Sequence, residues 1–429
     1  MCRFFVPLAL ALTSLAGASA LAQQNHGATA PTGAQAAAAP VSPPPLTLAT
    51  AIRTALGNHP ELSAARREIE ATEGARMQAG TFQNPTLSAE IEGVRSDTRT
   101  TAVLLSQPIE LGGKRSARIE AAERAADVAR LQLEVRQVEL QAEVTAAFFA
   151  ALIAQDRVQL AQGALDLAGK GSLAASHRVR AGKVSPIEET KAKVAEAGVR
   201  LEGLQAQGDL QTSVQQLRAL MGRPPAFQVL DGDALMLPAA RSAEAVEQRL
   251  ADAPALRQAR LQVQRFAALA ALEQAKRMPD LTLTAGAMRD REAGRNQAVV
   301  GISVPLPFFD TNHGNIVEAL RRQDKAEDEL LAVELRLRAE AGAARQRHVT
   351  ALAEVDALQK EILPGARAAF DAATKGFEMG KFAYLDVLDA QRTLLQARSQ
   401  HLRALAEAHR AATDLDRLLG GPVAVVTSR

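Results

Sequence analysis

The sequence predicts an α+β fold made of two copies of one unit, each combining long helices with a pair of short strands. A helical pattern without a breaker runs from Lys114 to about Ala168, far beyond the usual length of a globular helix. Strict alternation of apolar and polar residues from Leu281 to Ala287 indicates a strand with one polar face. Breaker and turn residues then recur at a nearly constant separation, which indicates an internal tandem repeat.

The N-terminus has the features of a secretory signal peptide over residues 1–22. Arg3 supplies a positive charge, Val6 to Leu15 form an apolar run, and small residues around Ala20 fit a cleavage site. The protein is therefore expected to leave the cytoplasm. Its one cysteine, Cys2, would be removed with this segment, so we expect neither a disulfide nor a thiolate metal ligand in the mature chain.

An Ala/Pro-rich arm follows over 23–46 and is predicted to be extended, with little structure of its own. After the signal peptide there is no run of eighteen or more apolar residues, so we expect no helix to span a bilayer. Any membrane crossing must then use strands.

Composition and motifs argue against several classes of function. The formal net charge is only +2, from 50 basic and 48 acidic residues, which gives no field suited to nucleic acid. Gly-Lys pairs occur, but none has the glycine spacing of a P-loop. The seven histidines are scattered, and no nucleophile lies beside a base in one motif. We therefore expect no catalysis, no cofactor, no bound metal and no nucleic-acid partner.

The first repeat is predicted to span 47–222, and Asn84-Pro85 marks its change from helical to strand period. Its expected elements, in chain order, are helices over 48–56 and 61–78, strands over about 85–94 and 101–109, a helix over 114–168, a turn region over 169–185 and a helix over 186–220.

A linker over 223–252 separates this repeat from a second one over 253–421, and a tail over 422–429 ends the chain. Pro60 and Pro254 lie 194 residues apart, and Gly182 and Gly380 lie 198 apart, so the two copies differ in length by only a few residues. The expected elements of the second copy are strands over about 279–288 and 297–305, a helix from about 316 to 375 with a kink at Pro364, and a helix over 383–419.

Four strands per chain are long enough to cross a bilayer but too few to close a barrel. Because open strand edges are not tolerated in hydrocarbon, strands in a membrane would require several chains to share one barrel. Phe82, Phe308 and Phe309 are placed to contribute to an interfacial aromatic girdle. The alternative is a small soluble sheet, which the low aromatic content of 3% favours.

Three segments carry a family resemblance: QPIELGGKR at 107–115, PLPFFDTNHGNIVEA at 305–319 and GKFAYLDVLDAQ at 380–391. Their order within a tandem repeat resembles the TolC-like outer membrane efflux proteins, and the likeness covers about 46–421. PLPFFDTNHGNI is most similar to the heavy-metal, CzcC-like branch of RND efflux systems.

The resemblance implies a homotrimer in the outer membrane of a Gram-negative bacterium. Twelve strands would form one barrel in contact with lipid, and a long α-helical barrel would extend into the periplasm. The helical tips would meet a periplasmic adaptor and an inner-membrane RND pump. The function implied is a passive duct, with heavy-metal cations as cargo. Drugs or secreted polypeptides are alternative cargoes, and a soluble periplasmic coiled-coil scaffold is the alternative of another class.

Asp386 and Asp389 are the candidate periplasmic gate. Their spacing places both carboxylates on one helix face, and the resemblance implies that three chains bring six of them together at the mouth of the duct. In the first repeat Glu188 aligns with Asp386, but Lys191 aligns with Asp389. The acidic pair is thus present in one repeat only. The alternative is an ordinary solvated acidic face.

Gly182, Lys183, Gly380 and Lys381 mark the turns at the two helical tips and are the candidate adaptor-docking residues. Their docking role comes from the resemblance. Ordinary turn chemistry explains glycines at these positions equally well.

Overall fold

The structure is a computed structural model that describes residues 44–93 and 95–421. The predicted signal peptide over 1–22, most of the arm over 23–46 and the tail over 422–429 lie outside the described residues.

The described elements follow the order expected for two copies of one unit. The first copy contains β1 (Leu46–Thr47), α1 (Leu48–Asn58), α2 (Pro60–Ala79), β2 (Thr86–Glu92), β3 (Thr100–Ile109), α3 (Lys114–Arg180) and α4 (Pro186–Met221). The linker carries β4 (Leu230–Asp231) and α5 (Ala243–Leu250). The second copy contains α6 (Pro254–Ala275), β5 (Leu281–Asp290), β6 (Arg295–Ser303), α7 (His313–Ala357), a π-helical turn (Leu358–Ile362), α8 (Leu363–Glu378) and α9 (Tyr384–Leu418).

The helix α3 is longer than the sequence pattern predicts. A turn region was expected from Gly169, but the helix continues through Gly169 and Gly171 to Arg180. Glycine is tolerated at 171 for a packing reason, because a Cβ there would overlap the hydroxyl of Tyr384. The turn therefore begins only at Ala181, and α3 has 67 residues, which corresponds to roughly 100 Å.

One sheet combines strands from both repeats in the antiparallel order β2-β3-β5-β6. A row across the sheet aligns Leu87, Leu105, Ala285 and Val300. These residues share one apolar face, on which Leu87 is 71% and Val300 82% exposed. The other face carries mostly small and polar residues together with Leu104, Met288 and Val299, and there the Ser106 and Thr284 hydroxyls hydrogen-bond at 3.0 Å. The sheet therefore has one apolar face open to its surroundings and one more polar face.

The strands of the second repeat begin and end a few residues away from the predicted positions. β5 begins at Leu281, one residue after Asp280, whose carboxylate accepts hydrogen bonds from the Leu111 N–H and, at 2.7 Å, from Lys114 Nζ. At the other end the ladder extends to Asp290, which pairs with Thr100 of β3. The connection between β5 and β6 is thus a tight turn that uses Gly294 at a φ of +68°.

The main hydrophobic core lies at the waist of the molecule, where α1, α3, α4, α9 and the linker meet. Phe148, Leu217 and Leu405 are fully buried there. The linker contributes Leu230, whose strand β4 pairs in parallel with β1. This two-stranded sheet was not predicted, and it corrects the expectation of an unstructured arm at Leu46, which is buried in the same core.

Pro364 was expected to kink a helix. The structure has a π-helical turn over Leu358–Ile362 directly before it, and helical geometry resumes in α8. A wider turn accommodates the proline ring, which would otherwise clash with the carbonyl four residues earlier and which offers no N–H.

Within the described residues, α3 is the one helix that is long and apolar enough to cross a membrane by length and composition. Its most apolar window of 18 residues has a mean hydropathy of 1.2, and 39% of that window is buried. The buried residues Val144, Phe148 and Leu152 of this helix belong to the waist core. Part of the apolar surface of α3 is therefore used in core packing.

Candidate functional site at the helical tips

Each repeat ends in a helical hairpin whose turn closes as a Schellman motif. In the first, the N–H groups of Gly182 and Lys183 donate to the carbonyls of Val179 and Arg178 at 2.9 Å. Gly182 has a φ of +67°, in the left-handed region that favours glycine.

The second hairpin repeats this geometry at an offset of 198 residues. Gly380 and Lys381 donate to the carbonyls of Phe377 and Gly376 at 3.0 and 2.8 Å, and the φ of Gly380 is +71°. The side chains of Lys183 and Lys381 are exposed, and neither forms an ion pair within the described part of the chain. The two tips therefore present the same backbone turn, each followed by an exposed lysine.

The carboxylate of Asp386 caps the N-terminus of α9. Its Oδ2 accepts a hydrogen bond of 2.9 Å from the Ala383 N–H, and the Asp386 N–H donates to the Ala383 carbonyl at 3.1 Å. A carboxylate at this position also interacts favourably with the helix dipole. The side chain remains exposed, so Asp386 combines a capping function with a free negative charge.

Asp389 lies one turn further along α9 and faces a different environment. It is exposed and lines an open groove of about 860 Å³ between α3, α4 and α9. Arg157, Glu202, Arg392 and Arg403 also line this groove. The Asp389 carboxylate makes no hydrogen bond or ion pair with the described residues. The two predicted gate residues thus share a helix face but have different local contacts.

The first hairpin lacks this acidic arrangement. The Glu188 N–H donates to the Ser185 carbonyl at 3.0 Å, as Asp386 does to Ala383, but no side-chain cap accompanies it. The neighbouring Glu189 pairs with Lys193 at 2.6 Å, and the hydrogen bond from Lys193 lowers the pKa of this carboxyl. The negative charge of the first tip is therefore partly compensated within its own helix.

Tyr384 joins the two hairpins. It is only 7% exposed and packs with Ala175 of α3, Ala192 of α4 and Phe377 of α8. The Arg178 guanidinium lies 3.9 Å from the centroid of the Phe377 ring, which adds a contact between the hairpins. Sequence reasoning missed this role, although Tyr384 is the only tyrosine of the chain and lies inside one of the three resemblance segments.

A buried histidine pair at the waist was also missed. His348 of α7 and His409 of α9 are each 2% exposed. The His409 ring stacks on Phe149 with centroids 3.6 Å apart, and its Nε2 contacts the Ala234 carbonyl at 2.8 Å. Burial lowers the pKa of both histidines. No spacing could have revealed the pair, because its members lie on different helices.

Metal-ligating side chains do not cluster in the described ranges 44–93 and 95–421. No group of three or more His, Cys, Asp or Glu residues there is arranged to hold a metal ion.

Comparison with known proteins decides the family. The profile of the outer membrane efflux protein family matches residues 51–223 and 245–421, nearly the whole described chain. The chain belongs to this family. It is similar to the cobalt-zinc-cadmium resistance protein CzcC of Cupriavidus metallidurans, with 44% identity over 98% of this chain and 100% of that protein.

Two solved channels share the fold of this family member. The outer-membrane channel OprN gives a TM-score of 0.75 at 19% identity, covering 87% of this chain and 90% of that one. CusC, solved in a study of transmembrane channel formation, gives a TM-score of 0.73 at 19% identity, covering 87% of this chain and 92% of that one.

These findings confirm several expectations. The TolC-like α+β fold is confirmed. So is the outer-membrane location, with the long helices extending into the periplasm. Because the family consists of efflux channels, the expectation of a duct rather than an enzyme is also confirmed.

Proposed function

We propose that this chain is the outer-membrane duct of a tripartite efflux system and that its cargo is heavy-metal cations. The observation that carries the cargo proposal is the 44% identity to a cobalt-zinc-cadmium resistance protein over that protein's entire length. Two further relatives, each 28% identical over 71% of this chain, are named for resistance to nickel and cobalt. Energy would come from the inner-membrane pump.

The cargo can be tested by susceptibility. Deletion of the gene in a strain that keeps its pump and adaptor should increase sensitivity to zinc, cobalt or cadmium, and the intact gene should restore resistance. Unchanged metal resistance with new sensitivity to drugs, or with loss of a secreted polypeptide, would favour the alternative cargoes.

We infer that the functional unit is a homotrimer. The sheet has four strands, and its outer strands β2 and β6 each pair on one side only among the described residues. Apolar side chains on these edge strands, such as Leu87 and Val300, are largely exposed in one chain. Open edges beside exposed apolar faces are unfavourable in lipid, whereas twelve strands from three copies would close the barrel.

Light scattering of the protein in detergent, corrected for bound detergent, tests this assembly. A mass of three chains, with the protein found in outer-membrane fractions, is expected. A detergent-independent monomer in the periplasmic fraction would instead support the soluble scaffold.

The gate and docking functions are proposals for the same assembly. Asp386 and Asp389 would form the cation-attracting mouth of the duct, and the tips at Gly182-Lys183 and Gly380-Lys381 would contact the adaptor. The free charge of both aspartates and the two solvent-exposed lysines support these functions.

A further inference from the structure

The ends of the strands furthest from the helices carry charges that the sheet register sorts onto two faces. The hairpin loops β2–β3 and β5–β6 lie together at this end, because Thr100 of β3 pairs with Asp290 of β5. The opposite ends of all four strands connect to the long helices. Since the helices extend into the periplasm, the hairpin loops lie at the outer surface of the membrane.

Three arginines fall on the apolar face at this outer end. Arg289 belongs to a row with Ile91 and Thr101, and Ile91 is 69% exposed on the apolar face. The Arg291 N–H donates to the Arg99 carbonyl at 3.2 Å, which continues the same register by one more pair. Alternate residues of a strand share a face, so Arg289 of β5 lies on the apolar side. Arg99 and Arg291 are the first residues beyond β3 and β5, and their backbone hydrogen bond extends the alternation to the same side.

The carboxylates near these arginines lie on the other face. Glu90, Glu92 and Asp290 alternate with the apolar residues of their strands, and Glu92 and Asp290 share a row with Arg295. The strands therefore separate charge by face. Arginines lie on the apolar side, and carboxylates lie on the polar side.

None of the three guanidinium groups has an anionic partner within residues 44–93 and 95–421. By contrast, Arg118 at the helical end of the sheet holds Glu110 at 2.5 Å. The Nε of Arg99 is shielded from water and finds no hydrogen-bond acceptor there. Arg289 and Arg291 are exposed. Three arginines at adjacent register positions, none of them in an ion pair among the described residues, thus form a surface that lacks its complementary charge.

The depth of this surface matches the boundary of the hydrocarbon layer. From Leu281 at the helical end to Arg289 the strand covers roughly 26 Å, and strand tilt reduces this to about 20 Å across the membrane. The apolar band of an outer-membrane barrel is about 25 Å tall. The arginines therefore lie where the outer-leaflet headgroups begin.

We propose that Arg99, Arg289 and Arg291 bind the phosphate groups of anionic lipid headgroups in the outer leaflet. A planar guanidinium donates two parallel hydrogen bonds to a phosphate, and charge-assisted bonds of this kind are among the strongest in proteins. Lipid on the apolar face supplies both the acyl chains that cover Leu87 and Val300 and the anion that the arginines lack. The inference rests on the outer-membrane location and is independent of the cargo.

The test uses the detergent-purified full-length protein and three probes: bis-phosphorylated lipid A, monophosphorylated lipid A and inorganic phosphate. Bound lipid is counted by native mass spectrometry, and thermal unfolding is followed in parallel. The variant Arg99→Gln, Arg289→Gln, Arg291→Gln keeps side-chain length and polarity without charge. The matched control is Arg295→Gln, which removes an arginine from the polar face of the same hairpin.

We expect the affinity of the bis-phosphorylated lipid for the wild type and for the control to be at least about tenfold higher than its affinity for the triple variant. Removing one phosphate from the lipid should weaken binding to the wild type, and added salt should weaken it further. These two measurements need no variant and remain decisive if the triple variant does not fold. Equal binding of both lipids, equal binding by the triple variant, or full stabilisation by inorganic phosphate would overturn the proposal.

Discussion

At the scale of single residues, Asp386 has two functions that a substitution must separate. Its carboxylate accepts the Ala383 N–H that would otherwise be unpaired at the start of α9, and its charge remains exposed to solvent. Replacement by alanine would therefore weaken the helix end as well as remove the charge, typically by about 1 kcal/mol. Asparagine keeps an acceptor oxygen and removes only the charge.

We predict that Asp386→Asn combined with Asp389→Asn relieves block of the channel by multivalent cations. The proposed trimer would lose six negative charges at its mouth, and each close pair of charges is worth about 1 kcal/mol even in bulk water. The cation concentration that blocks half of the single-channel conductance in planar bilayers should rise on the order of tenfold.

The control is Glu188→Gln, which removes the aligned carboxylate from the first repeat. It should leave block unchanged if only the second tip lines the pore. Equal relief of block by the control would exclude an asymmetric gate. If the double variant does not change the block, Asp386 and Asp389 do not form a gate, and Asp386 only caps the helix.

Gly171 gives a residue-scale prediction about stability. A Cβ at this position would overlap the Tyr384 hydroxyl, so Gly171→Ala should destabilise the protein by about 1–3 kcal/mol through overpacking. Gly169 lies one half-turn away in the same helix with open space around it. Gly169→Ala should therefore be neutral or stabilising by about 0.5–1 kcal/mol, because alanine is the better helix former.

Thermal unfolding of both variants in detergent measures this difference. The added change Tyr384→Phe removes the overlapping hydroxyl and should restore part of the stability of Gly171→Ala. If the two alanine variants unfold at the same temperature, Tyr384 does not hold the hairpins together as described.

At the scale of elements, the two hairpin tips are near-identical turns, and this similarity defines a clean test of adaptor docking. A bulky residue at Gly182 or Gly380 would strain the backbone, because both glycines have a positive φ. A loss of docking in such a variant could then come from the strain rather than from a lost contact with the adaptor. Lys183 and Lys381 follow these glycines with exposed side chains and contribute only backbone groups to the turn. Charge reversal at the lysines leaves the turn intact.

We predict that Lys183→Glu with Lys381→Glu reduces crosslinking to the adaptor and lowers metal resistance, while thermal stability stays within about 0.5 kcal/mol of the wild type. Exposed Lys360, in the π-helical turn away from the tips, provides the control Lys360→Glu. Unchanged crosslinking in the double lysine variant would show that the tip side chains are not the contact.

Sequence patterns predicted the elements that depend on local chemistry. Local sequence alone predicts three features: the strand β5 from its alternation, the helix end at Pro85, and the glycine turns of both tips. The predicted end of α3 was wrong. Gly171 lies inside the helix because it packs against Tyr384, which is more than two hundred residues away in sequence. The same reason hid the pairing of β1 with β4.

The candidate site was predictable in identity but not in environment. The residues Asp386 and Asp389 could be chosen from their spacing and from comparison between repeats. The hydrogen bond from the Ala383 N–H to Asp386 depends on the turn geometry. The position of Asp389 beside an open groove depends on the packing of three helices. Physical separation along the chain likewise concealed the histidine pair.

At the scale of the whole molecule, the waist is where the linker holds the two repeats together. His409 contacts the linker carbonyl of Ala234, and Asp416 of α9 forms an ion pair with Arg241 of the linker. His348 packs into the same region, and neither of its ring nitrogens has a hydrogen-bond partner among the described residues. The charged groups that act on the histidine pair are Asp233, Asp416 and Arg241.

We predict that acid weakens this waist. Burial holds the pKa of His348 and His409 below the ordinary value of 6.5, so the folded protein keeps both rings neutral while the unfolded chain takes up protons. The stability that the neutral rings contribute is fully present above about pH 6.5 and is lost as the pH falls through their lowered pKa values. Thermal unfolding between pH 7.5 and about 5 should show this decrease.

His348→Leu should flatten the pH dependence, because it removes one of the two buried rings whose pKa burial lowers. His177→Leu, at an exposed position near the first tip, is the control and should leave the profile unchanged. A profile that is the same in all three proteins would show that the waist histidines do not set the acid sensitivity.

The most direct measurement of the central claim is the release of preloaded zinc from whole cells that contain the cognate pump and adaptor. With this chain present, zinc should appear in the medium, and without it zinc should remain in the cell or the periplasm. Supplying the intact chain should restore release. Equal release with and without the chain would contradict the account of an outer-membrane exit for heavy-metal cations.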